Sequence, residues 1–131
     1  MTRLREYASA RQAPLLDIRG LRTHFFTEAG VAKAVDGLDL SIYPGEVVGL
    51  VGESGSGKSV TALSVLRLIP SPPGRIVAGE IFFKGRDLLK LDNDGIRDVR
   101  GDEISMVFQE PMTYLNPIFT IGMQLTEGYL Q

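Results

Sequence analysis

The order of apolar and polar residues divides the chain into strands first and a strand–loop–helix unit after them. Leu15 to Phe26 alternates well enough for a strand, Thr27-Glu28-Ala29-Gly30 has turn chemistry, and Val31 to Tyr43 reads as one or two further strands. Asp36-Gly37 inside that span signals a turn or bulge, and Pro44-Gly45 closes it. Val47-Val48-Gly49-Leu50-Val51 is continuously apolar, the pattern of a strand buried on both faces. From Val60 to Ile69 the period becomes helical, with Ala62, Leu63, Val65, Leu66 and Ile69 on one side. Pro70, Pro72, Pro73 and Gly74 stop that helix.

Ile76 to Phe83 is again strand-like, and Lys84-Gly85 turns the chain toward Leu88 and Leu89. Asp92 predicts the N-cap of a short helix to about Arg100, ended by Gly101. Ile104 to Phe108 reads as another short buried strand stopped by Pro111, and a helix from Thr120 places Ile121, Leu125 and Tyr129 on one face. Met1 to Pro14 is polar and aperiodic, a loose terminus; arginines outnumber acids there, so a targeting segment is the alternative. Two antiparallel-looking strands ahead of the strand–loop–helix unit predict a small β-subdomain laid against it.

The loop itself, Gly52 to Ser59, reads G-E-S-G-S-G-K-S and fits G-x-x-x-x-G-K-[ST], the phosphate-binding loop. A triphosphate packs several negative charges into a small volume and is best held by many inward-turned backbone N–H groups. Gly52, Gly55 and Gly57, with small Ser54 and Ser56 between them, let the backbone wrap that closely. Lys58 can reach the outer phosphates, the Ser59 hydroxyl can take a position on Mg²⁺, and a helix starting near Lys58 aims its positive end at the same charges. A Gly/Ser-rich surface turn is the alternative, disfavoured by the apolar run before the loop and the helix after it.

Composition narrows the classes. The 131 residues suffice for one domain with a modest core. A net charge of −2 offers no basic stripe, so nucleic acid is not an expected partner. The chain has no cysteine, which excludes disulfides and thiolate chemistry, and His24 is its one histidine, which excludes metal clusters built on several histidines. His24 itself reads as a polar residue on an edge strand. No apolar run is long enough to span a bilayer, so a soluble cytoplasmic protein is expected.

Three strings together carry a resemblance: Ala34-Val35-Asp36-Gly37-Leu38, the run from Gly45 to Ser59, and Phe108-Gln109-Glu110-Pro111-Met112-Thr113-Tyr114-Leu115-Asn116-Pro117. From about Leu15 to the end the chain resembles the ATP-binding subunit of an ABC transporter, in the oligopeptide/dipeptide importer group. The resemblance implies an α/β fold, a P-loop NTPase of ABC-ATPase type. Residues 15–131 would hold a mixed β-subdomain, an incomplete RecA-like core and the start of a helical subdomain, as the N-terminal part of a nucleotide-binding domain. It further implies ATP and Mg²⁺, gripped by Gly52, Glu53, Ser54, Gly55, Ser56, Gly57, Lys58, Ser59 and Val60. Ser59 and Gln109 would face the metal, with Lys58 and Gln109 as the catalytic groups.

The last string is similar to the Q-loop of that group, with Tyr114 where a small residue is more familiar. The amide of Gln109 can offer its oxygen to Mg²⁺ and its NH₂ to a phosphate or water. Two alternatives stay open: a solvated strand-end glutamine, or a degenerate Walker B strand with Glu110 as base, in which Gln109 fills the place of the expected aspartate. Phe25 falls at the position of the aromatic that stacks on adenine, with Phe26 as fallback and core packing of both rings as the alternative.

Met112, Tyr114, Leu115, Ile118 and Phe119 would form part of a groove for a helix of the membrane partner, in competition with packing inside a helical subdomain. The implied partners are permease subunits, a second ATPase subunit and, indirectly, a solute-binding protein, with the chain peripheral at the cytoplasmic face of the inner membrane. The sequence lacks a Leu-Ser-Gly-Gly-Gln signature, an Asp-Glu Walker B strand and a later switch histidine. It is therefore expected to be a portion of a longer ATPase, inactive alone. Another P-loop enzyme (a kinase or GTPase) and a non-catalytic nucleotide-binding fragment are the competing readings.

Overall fold

The computed structural model describes residues 13–109 and 115–127. Two long strands come first, β1 (Leu16–Thr27) and β2 (Gly30–Ile42), joined by the Glu28-Ala29 turn. Helix α1 (Lys58–Val65) follows the glycine loop, then β3 (Gly74–Phe83), the two-residue β4 (Arg86–Asp87) and helix α2 (Asn93–Asp98). Helix α3 (Ile121–Thr126) closes the described chain. The strands form one antiparallel sheet in the order β2-β1-β3-β4. This is the expected β-subdomain, with β1 between partners from either side of the loop.

Alternation along β1 puts Ile18, Leu21 and Thr23 on the buried side, where Val35, Ile81 and Phe83 join them from the neighbouring strands. Val65 from α1 and Leu88, Ile96 and Val99 from the β4–α2 region complete the core. β2 is one strand, not two, and Asp36-Gly37 is absorbed as a register shift against β1. β1 and β3 approach closely at Gly79, where a Cβ would fall 2.6 Å from Leu21 Cα, so no other residue fits without moving backbone.

α2 begins as its sequence predicts, with the Asp92 carboxylate accepting from the Gly95 N–H at 2.8 Å. It ends earlier, because Arg100 leaves the helical region at ψ 114 and the chain kinks over Val99–Glu103. Glu103 in that kink accepts from Lys84 at 2.8 Å and from Arg86, tying it to the β3–β4 hairpin.

Several expectations are corrected. Val47–Val51 has no regular secondary structure and pairs with no strand among the described residues, and Val47 and Val51 are 98% and 94% exposed. Ile104–Phe108 likewise joins no sheet among the described residues, and Val107 is 94% exposed. A doubly buried strand needs hydrogen-bonded neighbours as well as apolar side chains, and the described sheet supplies none to these two runs. Instead Val48 and Leu50 of one run and Ile104 and Met106 of the other line an apolar groove under α1. α1 stops at Val65, and its buried side is Thr61, Ser64 and Val65, followed by Leu66, while Ala62 is exposed. His24 lies on an interior strand, not an edge. The expectations for residues 1–12, Glu110, Met112, Tyr114 and Tyr129 fall outside the described residues.

Candidate functional site

Gly57 caps α1 at φ 85, and a Cβ there would lie 2.2 Å from the carbonyl oxygen of Ala34. Backbone conformation and the close approach of β2 both demand glycine at this point. The Gly57 carbonyl receives the Thr61 N–H at 2.8 Å and the Thr61 hydroxyl at 2.9 Å, which fixes the first turn of α1 beneath the loop. The loop is thus anchored on β2 at one side and on its own helix at the other.

Lys58 folds back across the loop. Its ammonium donates to the Gly52 carbonyl at 2.7 Å, the Glu53 carbonyl at 2.6 Å and the Ser56 hydroxyl at 3.0 Å. An ammonium has three N–H donors, so all three are spent on loop oxygens. Glu53, Ser54, Gly55 and Ser59 are exposed and Val60 is half-buried. Beside the loop an open cleft of 320 Å³ runs along β2 from Ala34 to Leu38, bounded by Leu50, Val51, Ser56, Lys58 and Thr61. On that wall the Asp36 carboxylate lies 3.4 Å from Arg22 Nε, 3.6 Å from Lys33 Nζ and 3.7 Å from His24 Nε2, so its charge is compensated away from the cleft.

The other sequence candidates do not line the cleft beside the loop. Gln109 is exposed at the end of the 104–108 run and is not among the hydrogen-bond partners of Lys58. Phe25 is half-buried, packed so closely over Gly74 that a Cβ there would meet its Cε1 at 3.0 Å. Phe26 is 47% exposed. Leu115, Ile118 and Phe119 are exposed beside α3. Among the described residues there is no group of three or more His, Asp or Glu able to hold a metal.

Two supports of the loop helix carry no sequence signal. The fully buried hydroxyls of Thr23 and Ser64 share a 2.8 Å hydrogen bond that fastens α1 to β1. Arg100 donates to the carbonyls of Leu66 at 2.8 Å and Arg67 at 2.9 Å, capping the end of α1, while Arg67 donates to Leu91 O at 2.7 Å. A helical pattern that looks for apolar residues passes over Thr and Ser, and a surface-type arginine does not announce its partner.

A glycine loop closed over a lysine, seated on a helix and braced by an antiparallel sheet, is the arrangement found here. The sequence profile of the family described as ABC transporter matches residues 35–125. The chain belongs to the ABC transporter family. Within it, the chain is 52% identical over 114 residues to the "Probable peptide ABC transporter ATP-binding protein" of Sinorhizobium fredii, covering 87% of this chain and 34% of that relative. It is 50% identical over 113 residues to the oligopeptide transport ATP-binding protein AppD of Bacillus subtilis, covering 86% of this chain and 34% of AppD. The chain therefore spans about a third of the length of these curated relatives. The solved structure of MJ0796, a dimeric bacterial ABC transporter cassette, superposes with a TM-score of 0.75 at 24% identity, over 88% of this chain and 47% of that one. The fold is that of an ABC-type P-loop ATPase, represented in its β-subdomain, phosphate loop and part of its core.

Proposed function

We propose that this chain is the phosphate-gripping part of an ATP-binding subunit that couples ATP hydrolysis to solute import through a membrane permease, with peptide as the solute. The observation that carries the proposal is the preset loop, with Lys58 held inside it by Gly52, Glu53 and Ser56. One fixed cation and the α1 N-terminus form an anion cradle suited to the β- and γ-phosphates. Ser59 opens α1 with an exposed hydroxyl, suited to Mg²⁺. Peptide as cargo rests on the names of the relatives.

In this reading Gln109 and Phe25 are the groups that would reach the metal-bound water and the adenine. Hydrolysis requires a carboxylate or equivalent to orient the attacking water, and the Asp36 carboxylate on the cleft wall is already engaged by Arg22, Lys33 and His24. The isolated chain is expected to bind Mg-ATP without turning it over. Contact with a permease, as the likeness to transporter ATP-binding proteins suggests, would be peripheral, at the cytoplasmic face. Exposed Leu115, Ile118 and Phe119 supply apolar surface for it.

A small-molecule kinase or GTPase is not favoured, given the family match and the β-subdomain. The deciding experiment is Lys58→Ala, read by equilibrium binding of labelled ATP with Mg²⁺. Loss of a charged donor at the phosphates weakens binding about 10- to 100-fold. Equal affinity of variant and parent overturns the reading.

A further inference from the structure

The three bonds of the Lys58 ammonium are not equivalent. Two go to carbonyls, at 2.7 Å and 2.6 Å, and belong to the backbone of the loop. The third goes to a side chain, the Ser56 hydroxyl, at 3.0 Å. That hydroxyl lies inside the loop: a Cβ on Gly52 would fall 2.5 Å from Ser56 Oγ, so Ser56 is folded over Gly52. A hydroxyl can leave by rotation about a single bond, whereas a carbonyl can leave only if the backbone turns.

We propose that Ser56 is a placeholder, a positioning residue whose hydroxyl occupies the third donor of Lys58 until a phosphate oxygen replaces it. The inference rests on the nucleotide-binding reading and adds to it a built-in competitor for the anion. While the hydroxyl is in place, Lys58 is held in the loop by three bonds and does not swing into solvent. When a phosphate arrives, a neutral acceptor is exchanged for an anionic one, which makes the stronger bond to an ammonium. The two carbonyl bonds hold the amine still through the exchange, so little side-chain entropy is lost at that step.

The competitor sets the sign of the test. Removing the hydroxyl removes an internal rival, so Ser56→Ala tightens binding, whereas loss of an ordinary ligand contact or of loop order weakens it. The experiment is calorimetric titration of the full 131-residue chain with magnesium pyrophosphate and with Mg-ATP, for the parent, Ser56→Ala, Ser56→Thr and Lys58→Ala. Ser56→Ala is expected to bind pyrophosphate about two- to fivefold more tightly, the equilibrium worth of one solvent-exposed hydrogen bond. Ser56→Thr, which keeps the hydroxyl, is expected to lack the gain in affinity shown by Ser56→Ala. Equal or weaker binding by Ser56→Ala overturns the placeholder while leaving the cradle intact. Absence of binding by the parent overturns the nucleotide reading and this inference with it.

Discussion

Asp17 shows how one side chain holds two strands together. It is buried on β1, accepts from the Ser41 hydroxyl on β2 at 2.6 Å, and forms a 2.6 Å ion pair with Arg19. The Ser41 hydrogen bond, with Arg19 in support, outweighs burial and holds its carboxyl below the usual value of 3.8. A lowered folded value means that the ionised form stabilises the fold fully above 3.8 and stops doing so as pH falls through the lower value. Asp17→Asn should cost about 1–3 kcal/mol at neutral pH. The gap between parent and variant, followed by urea unfolding across pH, should close in the acid range below 3.8. A constant gap would show that the charge has no part in it. Single residues of this kind were poorly legible beforehand: Asp17 looked like any polar residue in an alternating strand. Gly57 and Lys58, by contrast, were readable, because their spacing answers to phosphate geometry and not to a distant partner.

At the level of elements, the bond between Thr23 and Ser64 is the direct link from the central strand to the loop helix. Thr23→Val removes one bond from the Ser64 hydroxyl, which keeps its 2.7 Å bond to the Val60 carbonyl, and should cost about 0.5–1.5 kcal/mol, whereas Ser64→Ala leaves the buried Thr23 hydroxyl unpaired and should cost about 1–3 kcal/mol. The double variant removes both groups and should cost less than the sum of the two, a non-additivity of about 0.5–3 kcal/mol in a double-mutant cycle by chemical denaturation. Strict additivity would mean that the two hydroxyls do not depend on each other. The strands β1, β2 and β3 were legible because alternation reports a one-sided sheet directly. The runs 47–51 and 104–108 were misread because a continuously apolar pattern states a need for neighbours without supplying them. The end of α1 was misplaced because Leu66 and Ile69 keep a helical period after the helix has closed on Arg100.

For the whole molecule, the exposure of Val47, Val51 and Val107 beside an apolar groove is the dominant feature. Val107→Asp should leave the stability of the isolated chain within about 0.5 kcal/mol, as for a solvated surface position. In a complete subunit, if the 104–108 run becomes a covered strand, the same change buries an unpaired carboxylate and should cost about 3 kcal/mol or more. Thermal melts of the two forms distinguish these outcomes, and equal tolerance in both would show that the run stays at the surface. The exposure of Val47, Val51 and Val107 also predicts where dyes for apolar surface will attach.

Because β1 is hydrogen-bonded to β2 on one flank and β3 on the other, the stretch from Pro44 to Pro73, with helix α1 inside it, leaves and returns to strands moored to the same line. A protease cut in the exposed stretch 46–51 would break the covalent thread yet set nothing adrift. The front piece would keep β1, the rear piece would keep β3, and the pairing between them would hold the severed halves in harbour. Continuity of shape in this protein should therefore survive a break in the chain at 46–51, because sheet pairing and not the connecting thread holds β1 to β3.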